Sequence, residues 1–279
     1  MKPTLHRYAA FTTNASGGNP AGVWIGDALP DAGEMQRIAA QVGLPNTAFI
    51  APEQGHAHVV RYYSPEAEIA FCGHATIAAS VILGKAHGAG TRRFSTKAGD
   101  VPVEVRERDG QWEASLTSVV PKHEAAPASL VAGALAALRW SESELDQAIP
   151  ASRIYAGNWH LALAAATRTR LAALDYDFAR LKPLMLEAGL ATLQLIWRER
   201  TDLIHSRNAF PVEGILEDPA SGSAAAALAG YLRDARLLAA PATILIRQGE
   251  TMGRPSRLVV HVPVSGGIVV SGNAVPMEV

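Results

Sequence analysis

A single cysteine, Cys72, stands in a chain of 279 residues. That scarcity excludes an intrachain disulfide and any centre built from several thiolates, such as a structural zinc or iron–sulfur site. Charge is also sparse: charged residues make up 18% of the chain, and 25 Lys and Arg oppose 26 Asp and Glu for a net charge of −1. No run of Lys and Arg exceeds the pair Arg92-Arg93, so the electrostatic footprint of a nucleic-acid-binding surface is missing. Long apolar runs are absent as well, since residues 130–138, with Gly133 among them, fall short of the about 20 residues that a bilayer-spanning helix needs. The opening Met1-Lys2-Pro3-Thr4-Leu5-His6-Arg7 passes directly into an alternating pattern without a charged start and apolar plug. The expectation is therefore a cytoplasmic protein with neither nucleic acid nor membrane as partner.

What is present is enough to bury a core: hydrophobic residues reach 48%, which argues against long disorder. The length suits one large domain or two of about 140 residues. Leu5, Arg7, Ala9 and Phe11 alternate with their neighbours, and a second apolar run at 21–25 follows a Gly17-Gly18-Asn19-Pro20 turn. Asp31 with Glu34 predicts a capping-box-like helix start, Met35, Ile38, Ala39 and Val42 share a face, and Gly43 supplies the stop. Residues 47–51, 57–63, 92–96, 101–106 and 112–118 read as strands, with Ala98-Gly99-Asp100 as a hairpin turn. Residues 75–83 are apolar on every side, the pattern of a helix buried all round. Residues 223–231 share that character, with strands expected at 193–198, 201–207, 243–247 and 257–264.

The two halves echo each other residue by residue. Arg61-Tyr62-Tyr63-Ser64-Pro65 matches Arg207-Asn208-Ala209-Phe210-Pro211, and Glu68-Ile69-Ala70-Phe71-Cys72-Gly73-His74-Ala75 matches Glu217-Asp218-Pro219-Ala220-Ser221-Gly222-Ser223-Ala224. Each copy reads Arg-x-x-x-Pro, then Glu-x-x-x-[Cys/Ser]-Gly-[His/Ser]-Ala at the start of the buried helix, and the matched context argues for duplication. The predicted domains are 1–118 and 119–279, with a link at Val119-Val120-Pro121-Lys122 and the last strand able to return to the first domain.

A small residue, Gly, then His or Ser at a helix start leaves N–H groups pointing outward where the helix dipole favours an anion. Singly, Gly73 and Gly222 read as tight strand-to-helix turns. As a duplicated pair they point to two helix starts clamping one small carboxylated molecule across an interdomain cleft, contacted by Asn19, Cys72, Gly73, Ser221, Gly222 and Ser223. His74 is the best placed of nine histidines for proton transfer. Glu217 and Asp218 offer a carboxylate beside the second helix, and Cys72 a thiol whose acidity a helix start raises. His56-x-His58 puts two imidazoles on one side of a strand without a third ligand, so no metal is expected. Gly249, Gly266 and Gly267 form no Gly-x-Gly-x-x-Gly turn, so no dinucleotide cofactor is expected.

Four ordered blocks resemble the PhzF-like family, named for the isomerase of phenazine biosynthesis, whose fold is shared with diaminopimelate epimerase and proline racemase. They are Phe11 with Gly18-Asn19-Pro20-Ala21-x-Val23; residues 63–76 with Phe71-Cys72-Gly73-His74-Ala75-Thr76; residues 214–224 with Glu217-Asp218-Pro219-x-Ser221-Gly222-Ser223; and Gln248-Gly249 with Gly253-Arg254-Pro255-Ser256. The resemblance implies an α+β fold of two pseudo-symmetric halves, each a β-barrel-like sheet wrapped around a central buried helix. It also implies a cofactor-free and metal-free site between the halves, and a homodimer. It carries catalytic roles onto His74 and Asp218. The family's proton-moving glutamate falls on Asn46, within Leu44-Pro45-Asn46-Thr47-Ala48-Phe49. An amide does not titrate in the accessible range. Against the paired cysteines of the related epimerases stand Cys72 and Ser221, and a serine hydroxyl is too weakly acidic to serve as the second base without an activating partner. The expectation is a cofactor-independent isomerase-like protein with Asn46, His74 and Asp218 in its catalytic cluster. The competing reading is a family member impaired in catalysis that binds a small ligand or a protein.

Overall fold

Strand neighbours in the first part of the chain pair antiparallel except where a helix intervenes between them. The computed structural model describes residues 2–52 and 57–277. Contacts divide the chain into two units, Met1–Thr117 with Ser271–Val279, and Ser118–Val270. The first unit holds β1 (Thr4–Ala10), β2 (Asn19–Ile25), β3 (Asn46–Pro52), β4 (Ala57–Tyr63), β5 (Glu68–Ile69), β6 (Gly90–Thr96), β7 (Gly99–Arg108) and β8 (Gln111–Thr117), with helices α1 (Ala32–Val42) and α2 (Gly73–His87). Helix α1 separates the parallel strands β2 and β3, and α2 the parallel strands β4 and β6.

In α1 the Asp31 side chain accepts from the Glu34 N–H at 2.9 Å, and Gly43 caps the far end in the left-handed conformation. Only half of the expected capping box forms, because the Glu34 carboxylate is held instead by Arg37 one turn on, at 2.6 and 2.8 Å. The apolar face of α1 covers the outside of the sheet, where Met35 and Ala39 pack with Phe49, Tyr63, Trp24 and Ile38. Two turn expectations shift. Asn19 and Pro20 open β2 rather than lying in the turn, paired with Ala10 and Ala9. The β6–β7 hairpin turns at Lys97-Ala98, because Thr96 pairs with Gly99 and its Oγ1 donates to the Gly99 carbonyl at 2.7 Å and accepts from the Ala98 N–H at 3.1 Å.

The second unit holds β9 (Lys122–Ala125), β10 (Ser152–Tyr155), β11 (Trp159–Ala164), β12 (Thr192–Arg200), β13 (Leu203–Ala209), β14 (Glu217–Asp218), β15 (Ala242–Gln248) and β16 (Ser256–Val262), with α3 (Ala128–Leu138), α4 (Arg168–Ala172), α5 (Phe178–Glu187) and α6 (Gly222–Asp234). The strand expected over 201–207 begins at Leu203, since Thr201 and Asp202 form the turn. Pairing runs β9-β10-β11-β12-β13-β15-β16, with β14 as a short flap on β13. Leu161, Leu163, Leu193, Leu195 and Ala209 face outward into a core with Leu130, Leu135 and Leu138 of α3, Leu171 of α4 and Leu181 and Met185 of α5. Helix α6 lies against β9, β10, β11 and β16. The last strand, β17 (Val269–Pro276), pairs with β1 and β8, so β1-β2-β3-β4-β6-β7-β8-β17 is a closed ring of eight strands.

Helix α2 packs against β1, β2, β3, β7 and β8 of that ring. Every residue from Ala75 to Gly84 is buried. Contact is close enough to favour glycine at two helical positions. A Cβ on Gly84 would lie 2.5 Å from Val105 Cγ1 and 2.8 Å from Trp112 Cε3, and one on Gly230 of α6 would lie 2.3 Å from Pro121 Cβ. The fold is thus mixed α+β, each unit a sheet about an apolar helix.

Crowding of this kind has a measurable signature. Gly84→Val is expected to cost about 1–3 kcal/mol, seen as a fall in Tm by differential scanning calorimetry, and Gly84→Ala a smaller loss in the same direction. Ala86→Ser, at an exposed position two residues on, leaves Tm unchanged. Equal Tm values for all three variants would mean that the helix is free to shift within its sheet.

Candidate active site

The duplicated motif folds into the same local device in each unit. In the first, β4 pairs with the two-residue β5 through Tyr62↔Ile69 and Tyr63↔Glu68; in the second, β13 pairs with β14 through Asn208↔Asp218 and Ala209↔Glu217. The repeated Arg and Glu form the ion pair that pins each flap. Arg61 Nε lies 3.8 Å from Glu68 Oε1, whose other oxygen takes Lys97 Nζ at 2.5 Å. Arg207 grips Glu217 with two contacts, Nε to Oε1 at 3.0 Å and Nη2 to Oε2 at 2.5 Å, with the side chains only 13% and 5% exposed. Glu217 is therefore committed to holding the flap.

Each flap delivers the chain to an extended N-cap residue and then a helix beginning with glycine. Cys72 (φ −140°, ψ 110°) precedes Gly73 and His74, and Ser221 (φ −113°, ψ 105°) precedes Gly222 and Ser223. Ser221 Oγ accepts from the Ala224 N–H at 3.4 Å, whereas Cys72 makes no side-chain cap. Neither helix has an acidic residue in its first turn, so no side-chain charge there offsets the positive end of the dipole.

The first unit brings Asn46, Cys72 and His74 together. The Cys72 thiol donates to Asn46 Oδ1 at 3.4 Å, and its sulfur lies 3.4 Å from His74 Nδ1 and 3.7 Å from Nε2. Asn46 reaches this point as the first residue of β3, and a helical start places Cys72 and His74 on either side of Gly73. Burial pushes the His74 imidazole down to about 4, against the opposing pull of its hydrogen bond to the Pro20 carbonyl. His74 is thus neutral at physiological pH, with one ring nitrogen donating to Pro20. Asn19 is buried beside Pro20 at the start of β2. The thiol, the amide and the imidazole form one small polar cluster at the open end of an apolar helix.

The second unit brings Asp218, Ser221 and the helix start of Gly222 and Ser223 together through a residue the motifs had quoted without a role. The buried Gln248 donates from Nε2 to the Asp218 carbonyl at 2.7 Å and accepts from the Ser221 N–H with Oε1 at 3.4 Å. Its signal in the sequence was its place in the Gln248-Gly249 block. His56 lies outside the described residues. His58 meets the Phe94 ring edge to face at 6.0 Å, and among the described residues no group of three or more His, Cys, Asp or Glu is arranged to hold a metal ion. No helix among them is long and apolar enough to cross a membrane.

A closed sheet about an apolar helix, with a polar cluster at the helix start and the motif repeated in a second unit, is a diaminopimelate epimerase-like fold. The model of the phenazine biosynthesis-like protein family matches residues 8–279, and the chain belongs to that family. An uncharacterized isomerase of Deinococcus radiodurans is 31% identical over 274 residues, 92% of this chain and 86% of that one. The trans-2,3-dihydro-3-hydroxyanthranilate isomerase of Pseudomonas aeruginosa is 31% identical over 283 residues, 96% of each chain. The crystal structure of a PhzF-family phenazine biosynthesis protein from Bacillus anthracis superposes with a TM-score of 0.88 at 23% identity, covering 100% of this chain and 98% of that one. Family and relatives together indicate an isomerase- or epimerase-type protein.

Two buried histidines give the fold a pH dependence. Burial holds His160, hydrogen-bonded through Nδ1 to Thr192 Oγ1 at 2.7 Å, down at about 3, and His74 at about 4. In the unfolded chain both titrate near 6.5. Below that pH the unfolded state takes up protons that the folded state refuses, so their contribution is complete above about 6.5 and is lost as pH falls toward 4 and then 3. Urea midpoints measured at pH 7.5 and 5.0 should drop less in His160→Gln than in wild type. An equal drop in both would show that His160 is already protonated in the folded protein.

Proposed function

We propose that the protein is a cofactor-independent isomerase-like enzyme that moves a proton on a small carboxylated molecule held between its two units. The two helix starts, Gly73-His74 and Gly222-Ser223, clamp the carboxylate of that molecule. The observation that carries this reading is the cluster of Asn46, Cys72 and His74 around one thiol. A 1,3-proton shift needs one group to accept a proton from one carbon and a group to return a proton to another. The neutral His74 can accept, the Cys72 thiol can donate, and Asp218 supplies the carboxylate from the other unit. The protein works without a resident metal or redox cofactor, as a homodimer in the cytoplasm.

A second reading rests on Asn46 itself. If this amide occupies the place of the family's proton-moving glutamate, it holds a substrate through its donor and acceptor but relays nothing. The protein would then bind the same class of ligand with its catalysis impaired. The alcohol-bearing acid named for the Pseudomonas aeruginosa relative, trans-2,3-dihydro-3-hydroxyanthranilate, is the first substrate to try.

Wild type is expected to be very poor at isomerising that compound, and Asn46→Glu to raise the rate. A positioned general acid or base is worth about 10²–10⁴-fold. Asp218→Asn is expected to abolish whatever activity either protein shows. Incorporation of solvent deuterium into the acid, followed by mass spectrometry, separates the two readings: an isomerase exchanges a proton with the solvent, whereas an impaired family member binds without exchange. Efficient isomerisation by wild type would remove Asn46 from the relay position.

A further inference from the structure

The inner face of the second unit carries polar groups that its fold does not use. Gln194 on β12 and Asn208 on β13 are both 0% exposed. Neither Oε1 nor Nε2 of Gln194 has a hydrogen-bond partner, and neither does Asn208 Nδ2. Asn208 Oδ1 accepts from Ser206 Oγ at 3.4 Å. One step across the sheet, His160 bonds Thr192 through Nδ1 and leaves Nε2 without a partner. An unpartnered buried amide destabilises a fold, and a leucine would fill the same space without that penalty.

Register places these groups beside the candidate site. Gln194 is directly opposite Asn208, and Asn208 is directly opposite Asp218, so the three side chains stand in one row across three adjacent strands. Leu193, Leu195 and Ala209 belong to the outer core with α3 and α5. Alternation along a strand therefore turns Gln194 and Asn208 to the opposite face of the sheet. The row ends at Asp218, whose carbonyl is held by Gln248 next to the α6 start.

We propose that Gln194 and Asn208 form a neutral hydrogen-bonding subsite beside Asp218, which recognises a hydroxyl or similar uncharged polar group on the skeleton of a carboxylated substrate. This rests on the proposed function, in which the helix starts hold the carboxylate. Two carboxamides offer donors and acceptors together and no charge, so their complement both donates and accepts. A second carboxylate is disfavoured, because it would face the acceptor oxygen of Gln194 and the neighbouring carboxylate of Asp218. His160, kept neutral by burial, adds an uncharged partner to the same face.

The test uses anthranilate and 3-hydroxyanthranilate as probes, a pair of aromatic acids that differ by one hydroxyl. Their binding to wild type, Gln194→Leu and Asn208→Leu is measured by isothermal titration calorimetry, and Tm by calorimetry. Wild type is expected to bind the hydroxylated acid about tenfold or more tightly, a site built for a hydroxyl being selective against the analogue without it. Each leucine variant should lose that preference, keep the affinity for anthranilate, and hold or raise Tm. Equal affinity of wild type for both acids overturns the subsite and leaves the carboxylate clamp standing. A lower Tm in both variants with the preference retained assigns the amides a structural role and also overturns it. Failure of wild type to bind either acid overturns the clamp, and the subsite with it.

Discussion

An α-helix with no polar stripe cannot lie on a surface, and this constraint organises the molecule. From Ala75 to Gly84 the whole circumference of α2 is buried, so it requires walls on every side. A sheet supplies them only by curling until its edges meet, and β17 meets both β1 and β8 to complete that wall. Burying the ring of apolar side chains at roughly 25 cal/mol per Å² drives the enclosure, and glycine at the tightest contact lets helix and strand approach. Closure also removes the exposed strand edges on which chains aggregate.

Once the helix body is enclosed, its amino end still has unmet polar demand. Intrahelical bonding cannot satisfy the first N–H groups, so the fold offers them wherever the chain enters the helix. The flap of β4 and β5 brings Cys72, Gly73 and His74 to that point, with Asn46 arriving from the first position of β3. The two copies have diverged in how firmly they hold this geometry. The second unit's Arg207–Glu217 pair is bidentate and buried, whereas Arg61–Glu68 is looser and shared with Lys97. Ser221 caps its own helix, whereas the Cys72 thiol turns to Asn46 and His74.

Much of this was legible in the residues. Apolar positions on all sides of 75–83 and 223–231 identified both central helices, because runs of nine such residues outlast the usual buried strand. The helices run further, to His87 and Asp234, since their last turns emerge and carry ordinary polar residues. The strand at 57–63 was readable to its ends because alternation and turn residues agree there. Short β10 and β11 and helices α4 and α5 gave no periodicity long enough to register. The hairpin at Lys97-Ala98 was displaced by one residue because the Thr96 hydroxyl, not the glycine, fixes the turn. Asn46, Cys72 and His74 were each nameable from motifs, yet their meeting around one sulfur was not.

The sequence by itself determined the two buried helices, the repeated motif and the identity of the chemical groups at each helix start, because these follow from local pattern and residue type, and its resemblance to a family implied the class of fold. Tertiary structure alone decided which strands neighbour one another. That decision closed the ring with β17, joined Asp218 to Ser221 through Gln248, and set Gln194 and Asn208 in a row beside Asp218. Register between strands distant in the chain is a property of packing, in which one residue of slip turns every side chain to the other face, and no local stretch of sequence contains it.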